Sequence, residues 1–509
     1  MTRPASPTSL TAAAFPLAVL GLTLLSLAPI WAFRFPPMQD YPQHLFVAHL
    51  AATFADPAWN WARFYEADLR VEPFSLTYLL MRFFALGFGP ETSGKLTISV
   101  AILLTAAVVT REARDRKDGA EPWALLLLFP LFFSQVYYLG FLPYLLSLPL
   151  LFLALRDLET YSARAPAVLS AIRHAGHVAL LFLAHPYSVV VYIGLGLAAV
   201  PLRTGDRGAW VRGALPPLAT LAVFVVWYAL STDLSRLGEG GEAAFRWWPF
   251  VAGTVTFFML PFTGMRITGG GNWLATLPWF CVVAAIGMSF PHRNHPVAVP
   301  RISLVFLFLS ICMYVALPHW ADRYSYFNLR LAPVIYVMAV FVISHVPLSQ
   351  VAKALTTVAA AGAILVHADL HRSVSEETEE LLPLLAEMAP NAPILPLLFD
   401  TSSKIMDSSF FYQFHGHDYF YYHVLVGGGA NPTLFSNPMF PVQYREGVRL
   451  PMPTTPDRVE QTDLASYRYI LSRGAPPKSM RFLERFLSVT ARSGPWVLFE
   501  NPNFDTSSR

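Results

Sequence analysis

Residues 33–50 read FRFPPMQDYPQHLFVAHL and follow directly on an apolar run from about Thr11 to Phe33. Crossing a bilayer takes roughly 20 apolar residues, so the run is long enough to span. It is too long for the h-region of a signal peptide, and no A-x-A-like cleavage site follows, so it reads as an uncleaved anchor. The chain then sets Asp40 beside prolines and ahead of His44 at the point where it first leaves the lipid. That makes the start of the chain a membrane helix with polar chemistry at its exit.

The composition extends this reading to the whole chain. Of 509 residues 54% are hydrophobic and 14% charged, where a soluble domain carries about 25% charge. With apolar stretches of spanning length recurring, the chain is a polytopic membrane protein. The net charge of +3 supplies no basic field for a nucleic-acid partner. Cys281 and Cys312 both lie inside apolar runs, forming neither a disulfide framework nor a metal site.

Candidate spans are 11–33, 92–110, 121–136, 139–156, 168–184, 187–201, 214–231, 273–290, 302–317, 329–346 and 350–368, about eleven transmembrane helices. Two shorter stretches, 74–88 and 250–264, read as helices lying in the interface or dipping into it. Lys and Arg concentrate in short cytoplasmic loops. With 74–88 interfacial, the clusters at 111–117, 156–173, 203–212 and 293–301 all face the cytoplasm, together with the N-terminus. The first outer loop is then 34–91, and 232–272, 318–328 and everything past 368 also face out. His185–Pro186, between two half-length runs, forms either the tip of a shallow hairpin or a proline kink in one helix.

Residues 1–368 therefore make the transmembrane module and 369–509 a soluble extracytoplasmic α/β domain. The fold class is mainly α with that domain appended. SEETEELLPLLAEM (375–388) has helical spacing, whereas PILPLLFD, YRYILS and the pair VTARSG and PWVLFEN read as strands. The last two form a hairpin turning at Ser493–Gly494.

Polarity collects on the outer side. Asp40 stands where a helix N-cap would, with Pro42 in the first turn and His44 one turn on. It can equally be a general base at headgroup depth. Asp322, Arg323 and Arg330 lie where a helix re-enters the membrane. They can be interfacial anchors, or a clamp in which guanidinium meets a lipid phosphate. Glu72 closes the first outer loop, alongside Glu66 and Asp68. His415, His417 and Asp418 in QFHGHDYFYYH (413–423) lack a fourth ligand, so a divalent metal is not supported. The central parts of the spans carry essentially no Asp, Glu, Lys or Arg, which ion-coupled transporters need near the midplane.

Three segments, MQDYPQHL (38–45), YYLGFLPY (137–144) and DRYSYFNLRLAP (322–333), and the overall order of helices and outer domain resemble the GT-C superfamily. These are integral-membrane glycosyltransferases, among them protein O-mannosyltransferases and the enzyme that adds aminoarabinose to lipid A. The resemblance implies transfer of a sugar from a polyprenyl-phosphate donor to a lipid, glycan or protein acceptor at the outer face, in a bacterial inner membrane. It implies Asp40 as catalytic carboxylate with His44 beside it, and Arg323 or Arg330 at the donor phosphate. Asp322, Glu72, His185 and Tyr138 complete the candidate substrate contacts. Many members carry two adjacent acids in the first loop, whereas here Gln39 and Tyr41 flank Asp40, so no metal or other cofactor is expected.

Two other readings remain open at the level of sequence. A polymerase or ligase of lipid-linked glycans would share the outer arginines but would place its main outer loop late in the chain. A transporter or non-catalytic scaffold would need the midplane charges that the spans lack.

Overall fold

The computed structural model describes residues 9–68, 71–116, 121–163, 168–202, 207–231, 245–246, 299–318, 320–321, 324–325, 328–403, 427–434, 441–448 and 450–504. The expected span 273–290, the interfacial stretch 250–264, the histidine segment 413–423 and the pair Asp322–Arg323 lie outside these residues.

The first half of the chain is a helical bundle. Its helices are α1 (Ser9–Ala32), α2 (Tyr41–Thr53), α3 (Ser75–Ala85), α4 (Pro90–Asp115), the short α5 (Leu128–Phe132) and α6 (Gln135–Tyr138), and α7 (Leu142–Ala163). These are followed by α8 (Val168–Ala184), α9 (Pro186–Ala198) and α10 (Arg207–Ser231). Past residue 300 come α11 (Arg301–Ala316), α12 (Leu331–Ile343) and α13 (Gln350–Glu379). Among the described residues, four helices are long and apolar enough to cross a membrane: α1, α4, α10 and α13. The polytopic membrane architecture stands. Several apolar runs form helices of 10–17 residues.

The reasons are local. The run 121–136 breaks into a 3-10 turn over Trp123–Leu127 and two helical turns, α5 and α6, with Ser134 extended between them. The His185–Pro186 alternative resolves as a hairpin. His185 is extended (φ −163°, ψ 123°), and α9 folds back so that the Tyr192 hydroxyl lies 3.0 Å from Nε2 of His174 on α8. In one continuous helix, residues 18 apart would lie about 27 Å apart along the axis. The stretch 74–88 forms α3, an amphipathic helix that buries Ser75, Thr77, Tyr78 and Met81 and exposes Phe83. By contrast α2 is buried almost all round, from Tyr41 to Ala51.

The helix α13 crosses residue 369 without a break. It runs on to Glu379 and is followed by α14 (Leu382–Ala386), so residues 375–388 are the end of this long helix plus a second short one. Beyond it β5 (Ile394–Leu398), β7 (Tyr469–Arg473), β8 (Ser488–Ser493) and β9 (Trp496–Glu500) form a sheet in the order β5-β7-β9-β8. β5 is parallel to β7 and the other pairs are antiparallel. Alternation decides its two faces. Ile394, Leu471, Trp496 and Leu498 join the core shared with the helical bundle. Leu395, Leu397, Ile470, Val497 and Phe499 pack with Leu483 and Leu487, at the end of α16 (Pro477–Phe486). The loop between α2 and α3 is tied in by β1 (Tyr65–Ala67), which pairs antiparallel with β6 (Val442–Tyr444), Tyr65 opposite Tyr444.

Candidate active site

The segment from Tyr137 to Tyr144 organises one end of the bundle. Two tyrosines anchor it to α13: the Tyr137 hydroxyl lies 2.6 Å from His371 Nε2, and the Tyr138 hydroxyl 2.5 Å from His367 Nδ1. Its main chain holds the turn that carries the first-loop acid. The amides of Gln39 and Asp40 donate to the carbonyls of Tyr138 (2.8 Å) and Leu139 (3.2 Å). Gly140 is in the left-handed region (φ +81°), and a Cβ there would collide with the main chain of Asp40. Only glycine allows these two turns to touch.

Asp40 occupies the N-cap position of α2, yet its side chain makes no capping hydrogen bond. Pro42 in the first turn has no N–H to satisfy, and Asp40 is half-buried. His44, one turn on, is buried at 4% exposure. Its ring donates to the Gly140 carbonyl, and its Nδ1 lies 2.8 Å from the Tyr78 hydroxyl on α3. Burial pushes the His44 pKa down to about 4, against the smaller opposing effect of the Gly140 carbonyl. The imidazole is therefore neutral at pH 7, and Tyr78 is the donor in that pair. Burial, and then the nearby Asp40 charge, raise the Tyr78 pKa well above its usual value, so this hydroxyl keeps its proton. The result is a carboxylate next to a neutral Tyr–His–carbonyl relay.

Across the same segment lies Arg330, at the entry of α12. Its guanidinium sits over the Phe141 ring, 4.8 Å from the centroid, and its carbonyl accepts from the Tyr144 hydroxyl. Its charge reaches His185 and Tyr187. His185 caps α9, its Nδ1 accepting from the Tyr187 amide at 3.1 Å. The ring stands edge-on to Phe74 (4.5 Å between centroids) and Tyr144 (5.3 Å). Phe74 itself has φ +78°, a backbone conformation strained for a bulky residue.

The structure thus brings Asp40 and His44 against residues 138–140, and Arg330 and His185 against Phe141 and Tyr144 of the same segment. Tyr138 is fully buried and faces α13, placing it as a support of the turn. Glu72 is half-buried, two residues before Phe74, and its carbonyl accepts from the Ser75 amide. Arg323 and Asp322 are outside the described residues. Sequence reasoning misses Tyr78, Phe74, Phe141, Tyr144 and Tyr187; Tyr78 leaves one trace, as the single tyrosine on the apolar face of 75–85. Among the described residues, no three His, Cys, Asp or Glu side chains converge as metal ligands.

At the opposite end of the bundle the chemistry is ionic. Asp157 on α7, 1% exposed, binds Arg111 of α4 (2.5 Å) and Arg173 (3.0 Å) and His177 (2.6 Å) of α8. Arg156 pairs with Glu112, and Arg116 reaches Ser344 beyond the end of α12. Two of the four arginine clusters expected on one side of the membrane, 111–117 and 156–173, are therefore gathered at one end.

A helical bundle with an acid just after its first helix, a first loop paired to a C-terminal α/β layer and an arginine at a late helix entry is a fold shared with a solved structure. The chain is similar to the crystal structure of ArnT from Cupriavidus metallidurans in the apo state, over 98% of this chain and 99% of that one, with a TM-score of 0.56. ArnT is a lipid A aminoarabinose transferase. The two are 13% identical, so the likeness is one of fold. No family model and no curated protein matches the sequence.

Proposed function

We propose that the chain transfers a sugar from a polyprenyl-phosphate donor to an acceptor at the outer face of the membrane. The observation that carries the proposal is the juxtaposition of Asp40 and Arg330 against one segment, residues 138–144. The whole-length fold likeness to a transferase that modifies a lipid supports the same reading. In the proposed step the acceptor nucleophile attacks the anomeric carbon of the donor. A bond from that carbon to the acceptor forms, the bond to the phosphate oxygen breaks, and the acceptor's proton passes to Asp40. The prenyl phosphate leaves with its charge against Arg330, which suits an arginine by geometry and permanent charge. The neutral His44–Tyr78 pair holds its place beside Asp40 without taking up the proton. Fixing donor and acceptor at one depth supplies the orientation on which such a transfer depends.

Asp40, Arg330 and the C-terminal layer would face outward and the Arg111–Asp157 end inward, following the charge bias of the loops. Two measurements test the proposal. Gly87→Cys, at an exposed position after α3, should react with an impermeant thiol reagent in intact cells, while Arg114→Cys should not; the reverse pattern refutes the orientation. Arg330→Ala should weaken binding of a polyprenyl phosphate by the purified chain at least tenfold, about the loss of one charge-assisted hydrogen bond of 1.5–3 kcal/mol. Unchanged binding would remove Arg330 from the donor site.

A further inference from the structure

A cavity lies away from Asp40, between two other helices of the bundle. It is a groove of about 530 Å³ between α8 and α10, walled by Ala175 and Phe182 on one side and Leu215 and Val223 on the other. Ligand pockets commonly run to several hundred Å³. Ile172, Leu215, Leu218 and Val223 on these two helices are exposed, so the groove opens on the hydrocarbon-facing surface of the bundle. Nothing in that setting offers water to a buried polar group, so an unpaired one is costly.

Yet the groove has such a group. His174, 4% exposed, lines it beneath Tyr161, whose ring stacks on the imidazole at 5.8 Å and 27°. His174 Nε2 is taken by the Tyr192 hydroxyl at 3.0 Å, whereas Nδ1 has no partner. Basic groups stand at the same end. Arg173 is half exposed while bound to Asp157. Arg212, one turn of α10 ahead of Pro216, has a buried Nε without a partner.

We propose that this groove holds one acyl chain of an anionic glycerophospholipid from the leaflet at the arginine-bearing end. The chain lies along Ala175 to Phe182. The ester and glycerol region meets His174 Nδ1, and the phosphate lies against Arg212 and Arg173. Basic pockets between membrane helices recognise acidic lipid headgroups in this way. The apolar walls account for the tail, the lone imidazole nitrogen for a hydrogen-bonding linkage, and the two guanidinium groups for the charge. The site is independent of the transfer chemistry and would hold a resident lipid whatever the substrates are.

The test is native mass spectrometry of the purified full-length chain, titrated with phosphatidylglycerol or with phosphatidylcholine of the same acyl chains. Wild type should retain one phosphatidylglycerol at concentrations where phosphatidylcholine is lost. Ala179→Phe, which fills the groove, should abolish that retention. Arg212→Gln, which breaks no ion pair among the described residues, should weaken it about fivefold, the equivalent of roughly 1 kcal/mol for one basic residue at a charged headgroup. Equal retention of the two lipids by wild type, or retention by Ala179→Phe equal to wild type, overturns the proposal. Should Ala179→Phe fail to fold, unchanged affinity of Arg212→Gln for phosphatidylglycerol overturns it instead.

Discussion

The two ends of the helical bundle are held together by different chemistry. At the end that carries Asp40, the supports are neutral: the Tyr137–His371 and Tyr138–His367 pairs, the Tyr78–His44 pair, and main-chain bonds from Gln39 and Asp40. At the far end, carboxylates and guanidinium groups clasp one another around Asp157 and Glu112. A neutral scaffold does not compete electrostatically with a charged substrate, whereas an ionic clasp fastens helix ends by pairing their charges with one another.

The sharpest break of this comparison comes from the ionic end. Asp157→Ala would leave Arg111, with a side chain only 10% exposed, without its closest carboxylate. Removing one partner of a buried pair costs about 3–5 kcal/mol. The expected outcome is a large fall in melting temperature in detergent with donor affinity per folded molecule unchanged. A matching loss of donor affinity would mean that the two ends are not separable.

At the neutral end a smaller stability cost should come with a functional one. Tyr138→Phe strands His367 Nδ1 in a buried site, costing about 1–3 kcal/mol. Because the Tyr138 carbonyl holds the amide of Gln39, transfer should fall as well, measured on protein held below its melting temperature. Stability loss with full transfer would show that the turn is not needed to position Asp40.

The smallest effect is a pH dependence. Burial lowers the pKa of both His44 and His49 on α2 from the ordinary 6.5 to about 4. Between those values the unfolded chain binds more protons than the folded one, so stability rises with pH. The contribution is complete above about pH 6.5 and is lost as pH falls toward 4. His49, edge-on to Trp59 at 4.6 Å, can be replaced by Phe with its ring contact kept. His49→Phe should flatten part of the acid loss in melting temperature; an unaltered profile would assign that loss to other groups.

Much of this arrangement is legible in the amino-acid sequence. Asp40 and Arg330 announce themselves because each is a polar residue at the boundary of an apolar run, and strands β5, β7, β8 and β9 because short runs bounded by turn residues are a local signal. The hairpin at His185–Pro186 shows as two half-length runs, though not distinguishable from a kink until Tyr192 meets His174. What sequence hides is whatever depends on distant partners. Residues 65–67 carry no strand pattern of their own and become β1 only by pairing with β6 nearly 400 residues on. The spanning length of 121–136 says nothing of the break at Ser134. Likewise, Tyr78 and Phe74 look like ordinary interfacial aromatics until α2 and α9 bring His44 and His185 against them.

The central claim is that Asp40 takes a proton during transfer, and one comparison bears on it most directly. Asn is nearly as good as Asp at an N-cap, and here the side chain makes no capping bond, so Asp40→Asn should keep wild-type stability. The amide has no useful proton affinity at neutral pH, and loss of a general base costs about 10²–10⁴ in rate. Purified Asp40→Asn should therefore bind a polyprenyl-phosphate donor as wild type does while its single-turnover transfer falls at least a hundredfold. Transfer by Asp40→Asn at the wild-type rate would contradict the account.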